Sequence, residues 1–190
     1  MKKAVILGLL GLVCCAASAF GATELQKKTL EGLEGVKVIV EDMRPEVEQA
    51  GLTKSSLQTL VELELRKAGI RVLTEEERLK TKARPWLYLR VSVVIDDPGS
   101  CAFDISLWLN QAVILAGNGS IATATTWDTS RTGTVGKSNI PSIKDHVREK
   151  VEEFCNDFLA ANPVKTAQAV PEKGELERPK TDNKSVPVGK

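Results

Sequence analysis

Twice in succession, apolar residues alternate along a long run, interrupted only by Gln111 in the second. In the first run, Leu87, Leu89, Val91, Val93 and Ile95 make one set, and Trp86, Tyr88, Arg90 and Ser92 make the other. In the second, Phe103, Ile105, Leu107, Leu109, Val113 and Leu115 are opposed by Asp104, Ser106, Trp108 and Asn110. A period of two sends alternate side chains to opposite faces of a strand, so each run predicts a strand with one buried face. Between them, Asp96-Asp97-Pro98-Gly99-Ser100 has the chemistry of a turn. Gly117-Asn118-Gly119 predicts the next hairpin. Ile121 to about Thr134, rich in Thr and carrying Trp127, predicts a third strand. Three strands joined by short turns form an antiparallel meander, and its apolar face demands a cover.

The cover is supplied by two helical patterns. Thr53 is a natural N-cap, with Leu52 and Leu57 at the staple positions. Leu57, Leu60, Val61, Leu65 and Ala68 make an apolar stripe, and Gly69 suits the left-handed residue that ends it. Near the end of the chain, Ile143, Val147, Val151, Phe154 and Phe158 form a second stripe, with Ser142 and Asp145 resembling a capping box and Asn162-Pro163 as the stop. Val36, Val38 and Val40 predict a strand before the first helix. Ile70 to Leu73 predicts another after it, and Thr74 predicts a cap for a short helix over Glu75–Lys80. The expected fold is α+β, in the order β-α-β-(short α)-β-β-β-α, with a mixed sheet and both main helices on one face.

The ends read differently. Met1-Lys2-Lys3, an apolar run from Ala4 to Ala17 and the small residues Ala17-Ser18-Ala19 have the three-part layout of a signal peptide. Cleavage is expected after Ala19, or after Gly21. The apolar run is shorter than the ~20 residues that span a bilayer. Val13 before Cys14, and Cys14 before Cys15, are poor lipobox contexts, so an outer-membrane lipoprotein is the lesser alternative. Pro163, Pro171, Pro179 and Pro187 are spread through a polar terminus, which predicts a disordered tail over 163–190 beyond a single domain over 23–162. Export leaves Cys101 and Cys155 as an even pair that either forms a disulfide or stays as two buried thiols. The formal net charge of +1 gives no field suited to nucleic acid.

Catalytic and cofactor motifs are weak. Gly133-Thr134-Val135-Gly136-Lys137-Ser138 resembles the end of a phosphate loop, but Arg131 stands where the first glycine belongs and Asn139-Ile140-Pro141 delays the helix. His146 is the sole histidine, too few ligands for a metal site. Ser142, Asp145 and His146 crowd one helix start without facing each other. Glu62, Glu64, Glu75, Glu76 and Glu77 read as solvated helix faces. No cofactor or metal is expected. The stronger candidate is the second face of the meander. Trp86, Tyr88 and Arg90, with Trp108 and Trp127, either fill a second layer of core or form a binding face.

Two segments carry a resemblance. One runs from Gly51-Leu52-Thr53 through Arg66-Lys67-Ala68-Gly69-Ile70 to Pro85-Trp86-Leu87-Tyr88-Leu89-Arg90-Val91. The other joins Thr126-Trp127 and Gly133-Thr134-Val135-Gly136 to Phe158-Leu159-Ala160-Ala161-Asn162-Pro163. Together they resemble a group of small secreted bacterial proteins of uncharacterised function. That resemblance implies a compact periplasmic domain and brings no catalytic residues. By element order alone, the chain is similar to the anticodon-binding-like modules of envelope proteins such as the TolB N-terminal domain, CsgG and LptE. The resulting expectation is a non-enzymatic periplasmic or envelope module that binds an envelope protein or other component. A periplasmic hydrolase and a small-ligand carrier stand as alternatives.

Overall fold

The computed structural model describes residues 22–96 and 99–163. The signal-peptide reading, Cys14 and Cys15, Asp97 and Pro98, and the tail beyond Pro163 lie outside the described residues.

The elements are α1 (Glu24–Lys28), β1 (Lys37–Val40), α2 (Pro45–Gln49), α3 (Lys54–Lys67), α4 (Glu75–Lys80), β2 (Trp86–Asp96), β3 (Ser100–Ile114), β4 (Ile121–Gly136), a 3-10 turn (Lys137–Ser142) and α5 (Ile143–Ala161). They form an α+β fold around a mixed sheet ordered β1-β2-β3-β4. β1 runs parallel to β2, and the remaining pairs are antiparallel. The meander expected from the alternating runs is therefore present, and the register sets Tyr88 opposite Trp108 and Asp96 opposite Ser100.

α3 forms for the reasons its sequence gives. Thr53 accepts from the Ser56 N–H, Leu52 and Leu57 are both buried in the core, and Gly69 takes φ +76° to end the helix. Its buried face is Leu57, Val61 and Leu65. α5 buries Ile143, Val147, Val151, Phe154 and Phe158, as the stripe requires, together with Cys155. Both helices close on Leu87, Leu89, Ile105, Leu107 and Leu109 in one core. Each large side chain buried there contributes roughly 1.5–3 kcal/mol.

Several local expectations are corrected. Ile70–Leu73 is not a full strand but a single parallel bridge, Val36 to Val72. The connection through Thr74 turns into α4 too soon for a longer ladder, and a reciprocal capping box between Thr74 and Glu77 fixes that turn. Ser142 makes no side-chain cap. The preceding 3-10 turn already supplies carbonyls to the start of α5, and the Ser142 hydroxyl donates to Asn139 O instead. The Gly133–Ser138 segment is not a loop at its start, because Gly133 lies within β4 opposite Phe103. A Cβ at Gly133 would sit 2.6 Å from the Phe103 ring, so this glycine makes room for an aromatic side chain.

The residue after α5 is tied back to the segment that follows α1. Asn162 Nδ2 donates to Leu30 O, and Gly32 N donates to Asn162 Oδ1 at 2.7 Å.

Candidate functional site

The two faces of the sheet separate the predicted site residues. Trp86, Tyr88 and Arg90 on β2 and Trp108 on β3 share the face opposite α3 and α5, and all four are half-buried. Tyr88 and Trp108, paired directly across the strands, stack with ring centroids 5.8 Å apart and planes 6° apart. The Arg90 guanidinium lies over the Trp108 ring at 4.9 Å, and that of Arg78 lies over Trp86 at 5.1 Å. Such contacts are worth about 0.5–1.5 kcal/mol each, and they hold long side chains flat and preformed on the sheet.

Trp127 is not part of this face, which corrects the sequence reading. It is 0% exposed and lies in the core. Its Nε1 donates to Asp157 Oδ2 at 3.0 Å, and its ring packs edge-on against Phe154 at 5.0 Å. A bulge in β4 explains the reversal. Leu109 pairs with Trp127 and Asn110 with Thr125, so Thr126 is an extra residue. An unbulged ladder would set Trp127 opposite Trp108, whereas one inserted residue moves it to the other face. The bulge is pinned from the end of α1, since the Thr29 hydroxyl donates to Thr126 O and Gln111 Nε2 donates to both Thr29 O and Thr126 Oγ1.

Polar groups border the aromatic stack. Asp104 lies 3.8 Å from the Arg90 guanidinium and accepts from the Ser106 hydroxyl at 3.0 Å. On the other side stands Glu41, which the sequence reading did not single out. Burial, and then the negative charge of Glu41, push the Tyr88 phenol above its usual value. One Glu41 carboxylate oxygen and Arg90 Nε are both buried without a hydrogen-bond partner. Both residues line an open cleft of about 350 Å³, together with Asp42, Arg44, Ser92 and Val94. Carboxylates and guanidinium groups lining a cleft beside stacked rings suit a ligand surface that offers both polarities. The alternation of Lys37, Ile39 and Glu41 with Val36, Val38 and Val40 puts Glu41 away from the core but does not say which strand it lies beside. It enters the site only because β1 pairs with β2.

The other candidates are dispersed. His146 stacks on Phe103 at 5.3 Å, Asp145 pairs with Arg148 at 2.7 Å, and Glu149 pairs with Arg131. Ser142 is engaged with Asn139, so no triad assembles from these groups. Among the described residues there is no group of His, Cys, Asp and Glu able to hold a metal ion. Glu75 is held at about 2 by hydrogen bonds from Arg78 and Lys37. Glu62 bonds Gln58 and Arg66, and Glu64 pairs with Lys67. Glu77 closes the α4 capping box, and Glu76 is exposed.

Cys101 and Cys155 are not joined. Both are buried free thiols, Cys101 near the start of β3 and Cys155 on α5 with its Sγ toward Glu64 O. Each sits in the core as a small hydrophobe. Burial, reinforced by Glu64 and Glu152, pushes the Cys155 thiol up to about 11, which suppresses its thiolate chemistry.

The class of protein these features define is an α+β domain with one sheet face packed by helices and the other displaying a preformed aromatic and arginine cluster. No family model matches the chain, and no curated protein matches it. Solved structures do show partial likeness. A variant PelC dodecamer from Paraburkholderia phytofirmans is 20% identical, with a TM-score of 0.38 over 65% of this chain and 90% of that one. Another crystal form of the PelC dodecamer from the same organism is 17% identical, with a TM-score of 0.36 over 63% and 87%. A minor lipoprotein from Acinetobacter baumannii is 7% identical, with a TM-score of 0.28 over 67% and 92%. No residue role carries over from them. Among the described residues, no helix is long and apolar enough to cross a membrane.

Proposed function

We propose that this chain is a non-enzymatic module of the bacterial envelope that docks an envelope protein on its open sheet face. The observation that carries the reading is the Tyr88–Trp108–Arg90 stack, half-buried on the face that neither long helix covers. Trp, Tyr and Arg supply most of the energy at protein interfaces because they bury large areas while keeping a polar tip. Glu41 and Arg90, which line the cleft beside the stack, support a partner that brings both a donor and an acceptor. Export, inferred from the layout of Met1–Ala19, supports an envelope setting.

A small-ligand carrier is the second reading, favoured by the cleft beside Glu41 and Arg90, whose size is that of a small-molecule site.

The test is site-specific photocrosslinking in intact cells. A photoreactive residue at Tyr88 should capture one discrete protein, and the same residue at the exposed helix position Thr59 should not. Arg90→Glu should abolish the capture. If both positions capture the same species, or if Arg90→Glu changes nothing, docking on this face is wrong.

A further inference from the structure

β3 and β4 continue past the rest of the sheet. β2 pairs with β3 only as far as Trp86–Asn110, while β3 and β4 pair with each other out to Ile114–Ile121. The result is a protruding hairpin arm that turns through Gly117-Asn118-Gly119. Its tip is apolar and uncovered, with Ile114 73% exposed, Ile121 77% and Leu115 45%. From Ile105 to Trp127 the chain contains no charged residue and no histidine.

The base of the arm has the opposite character. Ala112 N donates to Ala83 O at 2.7 Å, which fixes the α4–β2 connection against the arm. The end of α4 and that connection carry Lys80, Lys82 and Arg84, all exposed and without an ion pair among the described residues. Exposed Leu79 and half-buried Trp86 lie in the same hollow as Ile121 and Arg84.

We propose that this arm is a membrane-surface anchor, its tip dipping into the interfacial layer of an anionic phospholipid leaflet while the basic connection sits over the head groups. An isolated convex apolar tip has little to bury against a rigid surface, whereas a lipid interface closes around it. The absence of charge along the arm avoids the cost of placing an ion among acyl chains. Cations at the base are attracted to anionic head groups, and Trp86 has the amphipathic ring favoured at that depth. The hairpin satisfies its own inner backbone groups through the β3–β4 ladder, as shallow insertion requires. Trp86 belongs to the same sheet face as the Tyr88–Trp108 stack, but the tip and the basic connection lie beyond that stack, and the inference goes beyond the docking reading.

The test places an environment-sensitive dye on Ala116→Cys in the full chain. Cys14 and Cys15 are replaced by serine and Cys101 and Cys155 are buried, so the tip is labelled selectively. Vesicles of phosphatidylethanolamine with phosphatidylglycerol should shift the dye emission to the blue, and pure phosphatidylcholine vesicles should not. The dye reports on the tip, so binding through the apolar run 4–17 does not register. Ile114→Ser with Ile121→Ser should weaken the response by about tenfold or more. Lys80→Glu with Lys82→Glu should weaken it by about tenfold. These side chains are exposed, so the variants keep the core intact. The proposal is overturned by no shift on anionic vesicles, an equal shift on neutral ones, or a response that survives the isoleucine changes. A shift that grows with protein concentration alone also overturns it, since a second copy would then cover the tip.

Discussion

Along β2 and β3, neighbouring residues one position apart live in different surroundings. Leu87, Leu89, Leu107 and Leu109 are fully buried under α3 and α5, while Tyr88 and Trp108 between them stack on a half-exposed face. The covered face is held by shape, since every side chain there meets others and none can change volume freely. The open face is held by ring stacking and guanidinium contacts, which fix orientation at little cost in stability. One strand pair therefore performs two tasks. Its inner set specifies the fold, and its outer set presents a surface without being needed to build it.

Trp127 and Trp108 offer the sharpest way to break that contrast. Trp127→Ala removes a buried ring and leaves Asp157 without its donor, so it should cost about 3–5 kcal/mol, measured by urea unfolding. A loss below about 1 kcal/mol would place Trp127 outside the core after all. Gly133→Val comes next. A β-branched residue ordinarily suits a strand, but here its Cβ meets the Phe103 ring at 2.6 Å, so a loss of about 1–3 kcal/mol is expected. Gly117→Ala, in open space, serves as the control and should be close to neutral. On the open face, Trp108→Ala should cost only about 0.5–1.5 kcal/mol. Combined with Arg90→Ala, it should cost less than the two single changes added together, because both remove the same contact.

The smallest effect concerns acid. Glu75 falls from its ordinary 4.5 to about 2 on folding, through its bonds to Arg78 and Lys37. A carboxyl lowered in this way stabilises the fold above its unfolded value, and the contribution is lost as pH falls from about 4.5 to about 2. Solvent screening keeps it modest, since the group is exposed. Thermal melts of Glu75→Gln across that window should show a shallower decline than those of the parent chain. An identical decline would mean that the ion pairs of α4 add nothing to stability.

Much of the fold was legible in the sequence because its signals are local. Thr53 and Thr74 cap helices because a hydroxyl meets an orphan N–H within one turn. The stripe Ile143, Val147, Val151, Phe154 and Phe158 sits on one face of α5 because of the helical repeat alone. The site was half legible. Trp86, Tyr88, Arg90 and Trp108 follow from the alternation, whereas alternation gives only the facing of Glu41, and parallel pairing of β1 with β2 brings it beside them. Ser142 failed as a cap because the 3-10 turn before it removes the orphan groups a cap would serve.

Periodicity, capping and turn chemistry were determined by the sequence itself, and with them an α+β meander under two helices. The tertiary structure alone decided which side of the sheet Trp127 occupies. A strand's facing has a period of two, so one extra residue at Thr126 inverts the facing of β4 on one side of the bulge relative to the other. Nothing in Thr125-Thr126-Trp127 marks the bulge. It is set by Thr29, Gln111 and Asp157, which meet these residues only once the chain has folded.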